Sequence, residues 1–315
     1  MHVRYLDAHQ PTEEAVLGMV AELVGLARQQ EEGLIADIDS EFTHQYRVNL
    51  RKARSLLSLF QKSLSPERYR ELRTQLKLIA QATNRLRDLD VFLIAEDDYR
   101  AMLPDQFQQG LDTLFKRLQR RRQSTWRNVA GTLEEEAYRE KVKQIEKLVK
   151  DSPDFSSLRS RTPIKKQVSR KILSQYRNMQ RDGAHIDAAT PDEQIHELRI
   201  EAKKLRYLLE LFAELFPRDK VRQLIKALKR VQNSLGRFND YSSQSLFLAQ
   251  LIHTPGTTAA ERDAINGLIA VLFGKQQSER ERVVGLIAEF SDADIAEQFH
   301  KLFAPTTAKD RGCLK

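Results

Sequence analysis

The chain contains one stretch of sequence twice, and this repeat limits the folds open to it more than any other feature. The segment HQYRVNLRKARSLLSLF begins at His44 and returns as HELRIEAKKLRYLLELF at His196, so equivalent positions lie 152 residues apart. The same offset superposes the closing phenylalanines, Phe60 and Phe212. It also holds in the segment that follows. A constant offset across two helices and their turn predicts a duplicated helical unit.

Apolar residues recur every three to four positions almost throughout the chain, which predicts an all-α fold. Only 12 glycines and 9 prolines occur among the 315 residues. Ser65 before Pro66 predicts a capped helix start, and Thr132 with Glu135 predicts a capping box. Two copies are too few for a solenoid, so we expect two similar helix bundles that face each other around a pseudo-two-fold axis.

The domain organisation follows from the repeat. We expect an N-terminal half over residues 1–150, a connector over 151–163, a C-terminal half over 164–303 and a flexible tail over 304–315. The connector is polar and holds two prolines.

Three details of the helices can be predicted inside these halves. A helix from about Arg218 should end near Leu235, and a later one, over about 258–289, has a candidate break at Gly274. Asp88 and its equivalent Asp240 lie where turns are expected, and capping of the next helix is their favoured role over orientation of nearby arginines.

Composition narrows the class of partner. The formal net charge is +8, and the sequence pI is near 9.5. Such a balance favours nucleic acid, inorganic polyphosphate or an anionic membrane surface. The single cysteine, Cys313, excludes an intramolecular disulfide and fits a reducing compartment. The N-terminus lacks the apolar core of a signal peptide, and the most apolar stretch, Ala264 to Phe273, is too short to cross a bilayer. We therefore expect a soluble cytoplasmic protein without membrane insertion.

A cationic stripe runs along the first repeat helix. His44, Arg47, Arg51 and Arg54 fall within an arc of roughly 80° on a helix, with apolar residues on both flanks. A charged helix face is usually solvated and paired with acids. Here the positions three and four residues away from these arginines hold few acids, and like charges at that spacing repel. We interpret the stripe as an anion-binding face aimed into a shared groove or pore.

The candidate binding residues are the histidines and cations of the two repeat segments, of the helices that follow them and of the entry helix of the second half. They are His44, Arg47, Arg51, Lys52, Arg54, Arg73, Lys77, Arg85, Lys166, Arg170, His196, Arg199, Lys203, Lys204, Arg206, Lys226, Lys229 and Arg237.

The two histidines could also be structural, as most single helical histidines are. As metal ligands they lack a His, Cys or carboxylate at a known ligand spacing, and nearby cations would repel a divalent ion. A Walker A loop, a GxGxxG motif and a nucleophile elbow are all missing from the sequence, as are paired carboxylates that could hold Mg²⁺. The sequence therefore predicts no metal, no cofactor and no catalytic residues.

These residues resemble the CHAD family, the conserved-histidine α-helical domains. The family pattern is a His, an Arg three residues later, a basic cluster and an aliphatic stretch that ends in Phe, and the copy at His196 is the closer match. Leu235-Gly236-Arg237 with Asn239-Asp240 resembles the downstream element, a glycine-containing helix end. The likeness covers about residues 10–303.

The resemblance implies two four-helix bundles around a basic central cavity, binding of inorganic polyphosphate and association with polyphosphate granules. Relatives are often fused to a triphosphate-tunnel domain, but the chain lacks an ExExK-type segment, so we expect a stand-alone, non-enzymatic protein. The arginines would contact phosphate oxygens, with the histidines donating hydrogen bonds between them.

Two alternatives stay open, which are single-stranded nucleic-acid binding and a helical adaptor role. The basic helices carry few aromatic residues for base stacking, Tyr207 being an exception, and this favours a ligand without bases. His44 to Arg54 spans about 15 Å of helix, which suits a chain of several phosphates. Oligomeric state and protein partners are not encoded in these patterns.

Overall fold

The computed structural model describes residues 6–187 and 189–304, and this part of the chain is all-α, as predicted. It contains fourteen α-helices: α1 (Thr12–Arg28), α2 (Glu31–Ile35), α3 (Ser40–Phe60), α4 (Pro66–Gln81), α5 (Asn84–Ile94), α6 (Glu96–Ala101), α7 (Gln108–Glu134), α8 (Glu136–Lys150), α9 (Leu158–Arg161), α10 (Ile164–Gly183), α11 (Asp192–Leu211), α12 (Arg218–Ile252), α13 (Ala259–Phe290) and α14 (Ala293–Phe303).

Helix starts follow the local chemistry of the sequence in several places. The Ser65 side chain accepts a hydrogen bond from the Arg68 backbone N–H, and Pro66 occupies the first helical position of α4, as predicted. Asp39 caps α3 by accepting from the Glu41 backbone N–H at 2.7 Å. The predicted capping box at Thr132 is wrong, because α7 continues to Glu134 and the Thr132 hydroxyl donates to the Asn128 carbonyl at 2.9 Å.

The second half contains two longer helices than the sequence predicts. α12 continues beyond Leu235 and through Gly236, and α13 continues through Gly274 without a break. α12 and α13 pack against each other as a long helical hairpin. The apolar face of α12 extends past the expected end with Phe238 and Leu248, both buried, so tertiary packing keeps this segment helical.

Asp88 and Asp240 consequently lie inside helices. Asp88 is the fifth residue of α5, and Asp240 is in the middle of α12. The predicted capping role is wrong for both, because neither residue lies at a helix end.

The main core joins the two repeat helices. α3 and α11 bury equivalent faces, with Leu50 and Leu57 on one and Ala202 and Leu209 on the other, and the two helices contact each other. Burial of such aliphatic side chains contributes about 1.5–3 kcal/mol each. The cations of both helices are thereby held on faces that flank this contact.

A second core, separate from the main one, lies around the C-terminal part of α5. Leu89, Leu111 and Phe115 from the first half pack there with Leu251 and Leu268 from the second. α7 accordingly contacts α13. This second core therefore includes residues of both halves and none of α3 or α11.

The connector 151–163 returns to the start of α1. The backbone N–H of Thr12 donates to the Thr162 carbonyl at 3.0 Å, and that of Ile164 donates to the Gln10 carbonyl at 2.9 Å. The predicted flexible tail lies, apart from Ala304, outside the described residues. Within residues 6–187 and 189–304 the structure contains no helix that combines the length and the apolar character needed to cross a bilayer.

Candidate anion-binding site

Four cations from the two repeat helices form what we call the basic cluster: Arg47 and Arg51 on α3, and Arg199 and Lys203 on α11. Burial lowers the pKa values of Arg199 and Lys203, and the nearby charge of Arg51 lowers them further, although Arg51 belongs to the other half of the chain. The α3–α11 contact therefore unites two stripes that lie far apart in sequence. The sequence predicted all four residues, and the structure brings them together.

Arg47 is held by polar groups where α4 ends and α5 begins. Its Nη1 donates to Asn84 Oδ1 at 2.5 Å, to Thr83 Oγ1 at 3.3 Å and to the Ala80 carbonyl at 3.4 Å. Burial and the charge of Arg51 lower its pKa. Its Nε is buried without a hydrogen-bond partner among the described residues. The guanidinium is thus fixed in position with one donor unused.

Arg199, the equivalent of Arg47, also has an unused donor. Its Nε is also buried without a hydrogen-bond partner in the described part of the chain. Its Nη2 lies 3.8 Å from Asp240 Oδ1, and burial lowers its pKa. A buried donor without a partner costs about 1–3 kcal/mol, and native proteins contain few of them. Arg117 and Arg280 also have a buried Nε without a partner among the described residues, but each forms an ion pair with a carboxylate. Arg47 and Arg199 lack such a close carboxylate, which favours an external acceptor for them.

Lys203 is the most perturbed cation of the cluster. Burial, followed by the charges of Arg199 and Arg51, lowers its pKa to about 8. Tyr207, one turn later on α11, is half-buried beside Arg51, and burial raises its pKa. The low pKa of Lys203 reflects burial first, and then positive charge that Asp240 balances only in part.

The two histidines lie in different surroundings. Burial and then the charge of Arg87 lower the pKa of the half-buried His44, so this imidazole is neutral near pH 7. His196 is exposed, and its Nδ1 lies 2.5 Å from Asn239 Oδ1. Because that oxygen accepts, Nδ1 carries the hydrogen, and Nε2 donates only when the ring is protonated. No three potential metal ligands lie together anywhere in residues 6–187 and 189–304.

Asp88 and Asp240, whose place is the same in the two copies, line one cleft of about 390 Å³ next to the basic cluster, with Phe92 and Phe247 among the other lining residues. Partial removal from water raises the pKa of both carboxyls, while Arg47 lowers that of Asp88 and Arg199 that of Asp240. Their relation to the arginines is electrostatic orientation, the role that the sequence left as second choice.

The remaining candidates fall into two groups. The cations with an intramolecular carboxylate partner are Lys204 with Glu201 at 2.6 Å, Arg206 with Glu210 at 2.5 Å and Arg237 with Glu279 at 2.5 Å. Those that form no ion pair with any described residue are Lys52, Arg54, Arg73, Lys77, Arg85, Lys166, Arg170, Lys226 and Lys229. Of this second group only Lys52 is half-buried, and the rest are exposed at the periphery.

Two arginines outside the list of candidate binding residues extend the positive surface of the first half. Arg87 lies near both His44 and Arg47, and Arg121 on α7 lies near Arg85. Arg121 belongs to a run of five cations in α7, over residues 116–122. Two others of this run are structural, since Arg117 pairs with buried Glu261 at 2.7 Å and Arg122 with buried Asp90 at 2.9 Å. The run itself could not reveal this division, because the partners come from distant helices.

The fold and the site together define an all-α protein in which two similar helices bring basic side chains into one cluster. The family model of the CHAD domain matches residues 18–249, and the chain belongs to the CHAD family.

Two solved structures support this assignment at the level of the fold. The structure described as the CHAD domain from the plant Ricinus communis is 22% identical over 96% of this chain and 96% of that chain, with a TM-score of 0.74. PptA from Streptomyces chartreusis is 16% identical over 88% of this chain and 99% of that chain, with a TM-score of 0.64. No curated protein matches the chain in sequence.

Proposed function

We propose that the protein binds inorganic polyphosphate through the basic cluster and acts as a non-enzymatic binding module. The observation that carries this proposal is the pair of buried Nε donors of Arg47 and Arg199, which have no partner among the described residues. A phosphate oxygen is the acceptor that such a donor favours, because charge-assisted hydrogen bonds to arginine are short and strong. Membership of the CHAD family and the sequence resemblance support the same ligand.

The proposal includes a two-fold arrangement of the halves around a basic central cavity. The contact between α3 and α11 supports it, because equivalent residues meet across that contact. The rings of Phe60 and Phe212 lie 5.7 Å apart, and Arg51 lies beside its equivalent Lys203. A site with this symmetry presents similar donors in both directions along a chain. It therefore suits a repeating polyanion, whose phosphates are alike at every position.

Polyphosphate fits the cluster better than nucleic acid. A protein that binds single strands needs exposed rings on which bases stack. Tyr46 on α3 is buried, where its hydroxyl donates to the Ile79 carbonyl, and Tyr207 is half-buried among cations. These rings are not free platforms, whereas the guanidinium groups need only phosphate oxygens. We accordingly propose association with polyphosphate granules.

Binding isotherms against polyphosphate of defined lengths, beside triphosphate and single-stranded RNA, test this function. We expect long polyphosphate to bind more tightly than triphosphate, to displace RNA and to lose affinity steeply with salt. Triphosphate binding equal to that of the long chain, or RNA that resists displacement, would refute the proposal.

A charge-reversed variant locates the site. Arg51→Glu with Lys203→Glu should abolish binding while circular dichroism stays that of a helical protein. The matched control is Lys147→Glu with Lys301→Glu, which changes the net charge equally through exposed residues of α8 and α14. If the control variant loses binding as fully as the cluster variant, net charge and not the basic cluster determines binding.

A further inference from the structure

Equivalent cations of the two halves differ in whether an internal carboxylate already holds them. From this difference we infer that the two halves share a polyanion unequally: the first half supplies the primary contacts, and internal glutamates restrain three equivalent cations of the second, Lys204, Arg206 and Arg237. The inference rests on the proposed polyphosphate function and adds which side of the site carries it.

Arg54 and Arg206 occupy equivalent positions of α3 and α11. The Nε of Arg206 donates to Glu210 Oε1 at 2.5 Å, and its Nη1 donates to Gln232 Oε1 at 3.3 Å. In the first half the residue equivalent to Glu210 is Ser58, and Arg54 is exposed without an ion pair among the described residues. One half thus presents a free guanidinium where the other presents an occupied one.

The following helices repeat the difference. Arg237 grips Glu279 with two donors, Nε to Oε1 at 2.5 Å and Nη2 to Oε2 at 3.1 Å. The Ser234 hydroxyl also donates to Glu279, at 2.5 Å, which fixes the carboxylate. Arg85, the equivalent of Arg237, is exposed and has no carboxylate partner within the described residues.

A third pair of positions shows the same pattern. Lys204 donates to Glu201 Oε1 at 2.6 Å, whereas the equivalent Lys52 has Asn49 at the matching place and no ion pair in the described part of the chain. Arg87 adds a further cation to the first half, where the second half has Asn239.

Free and carboxylate-bound cations differ in the free energy that it costs to bring them into contact with phosphate. An arginine held by a carboxylate must leave that partner before it can grip phosphate in a bidentate fork, and the released carboxylate then repels the polyanion. A free arginine has only water and counterions to release. At these three pairs of positions the first-half cation should therefore account for most of the counterion release, and thus for most of the salt dependence of binding.

Paired variants at equivalent positions test the inference through the affinity and the slope of log K against log salt. Arg54→Gln should lower affinity for long polyphosphate about tenfold and reduce the slope by about 0.7, the value for one phosphate contact of a flexible single strand. Arg206→Gln should cost at most about twofold, with little change in slope. Equal losses in the two variants would overturn the inference.

A second experiment removes the carboxylate that restrains Arg206. Glu210→Gln should free Arg206, so we expect affinity to rise several-fold and the slope to increase by about 0.7. The matched control is Glu297→Gln on α14, which breaks another pair spaced by four residues, that with Lys301 at 2.8 Å, at the same change in net charge. Equal effects of the two substitutions would overturn the inference, because net charge alone would then explain them.

The two proposals fail in distinguishable ways. If the unmodified protein does not bind polyphosphate more tightly than triphosphate, the proposed function is wrong and this inference falls with it. If the unmodified protein binds as expected but the paired variants behave alike, only the unequal sharing is wrong.

Discussion

Phe60 and Phe212, the last residues of the two repeat segments, lie with their ring centroids 5.7 Å apart and their planes inclined by 55°. Both side chains are fully buried. The ammonium group of Lys171 covers the Phe60 ring at 5.0 Å, which adds a cation–π contact to the same point. This contact joins α3 to α11 at their C-terminal ends.

Truncation of that contact should weaken the fold and the site together. Phe60→Ala should lower the free energy of unfolding by about 3–5 kcal/mol, because it leaves a cavity at the junction of the two helices. Denaturant unfolding measures this loss. Phe273→Ala is the matched control, since Phe273 is 60% exposed and should change stability by no more than about 0.5 kcal/mol. Similar losses in both variants would contradict the role assigned to the contact.

The unsatisfied donor of Arg199 predicts a conflict between stability and binding. Arg199→Met should raise the free energy of unfolding of the ligand-free protein by about 1 kcal/mol, because a buried unpaired donor disappears while a long apolar chain remains. The same change should weaken polyphosphate binding and reduce the stabilisation that the ligand confers.

Arg47→Met serves as the comparison for that experiment. Arg47 donates three hydrogen bonds besides its unpaired Nε, so its replacement should give no such gain in stability. Denaturant melts with and without polyphosphate measure both variants. A ligand-free Arg199→Met protein that is less stable than the unmodified one would show that the buried donor carries no cost.

Lys203 predicts a pH dependence of binding. Its pKa of about 8 lies below the ordinary lysine value of 10.5, and the polyanion favours the protonated form. Affinity should therefore fall as the pH rises through about 8, and binding near that pH should take up protons. Lys203→Arg keeps its charge throughout, so its affinity should stay level between pH 7 and 9. Parallel pH profiles of the two proteins would exclude Lys203 as the titrating group.

The same shift has a defined sign for stability. Between pH 8 and the ordinary value of 10.5, the unfolded chain holds a proton on Lys203 that the folded chain has lost. The free energy of unfolding contributed by this group therefore rises with pH across that window. The difference between the unmodified protein and Lys203→Arg, measured by denaturant unfolding at each pH, isolates the contribution.

Asp240 should act as a competitor of the anion, because it lies 3.8 Å from Arg199 and also interacts with Lys203. Asp240→Asn should raise affinity for polyphosphate about two- to fivefold, as expected for removal of one negative charge near the ligand. Asp219→Asn changes the net charge equally on the same helix, at a side chain that is 90% exposed, and should have a smaller effect. Titrations at one salt concentration compare the two, and equal gains would deny Asp240 a local role.

The repeat helices and their buried faces could be predicted because their signals are local. The offset of 152 residues and the apolar periodicity are enough to identify α3 and α11 from the amino-acid sequence. The continuation of α12 through Asn239 and Asp240 could not be predicted in this way. Those residue types favour turns, and only packing of Phe238 and Leu248 in the interior overrides the local preference.

The candidate site divides along the same line. Cations at helical spacing are visible in the sequence, so the four members of the basic cluster were predictable. Two of the carboxylate partners of second-half cations were within reach of the sequence, because Glu201 lies three residues before Lys204 and Glu210 four residues after Arg206. The third was not, because Glu279 lies 42 residues after Arg237 and belongs to another helix.

The second core has a consequence for how the chain acquires its structure during synthesis. Leu111 and Phe115 share this core with Leu89 from the first half, but the core is completed by residues such as Leu251 and Leu268, which emerge from the ribosome much later. Contacts of such long sequence separation form slowly, because a large loop must close before they stabilise anything. A nascent chain that ends before α13 thus carries an exposed apolar surface on α7. We expect such fragments to need chaperone protection, and the anion site to become competent only when translation is nearly finished.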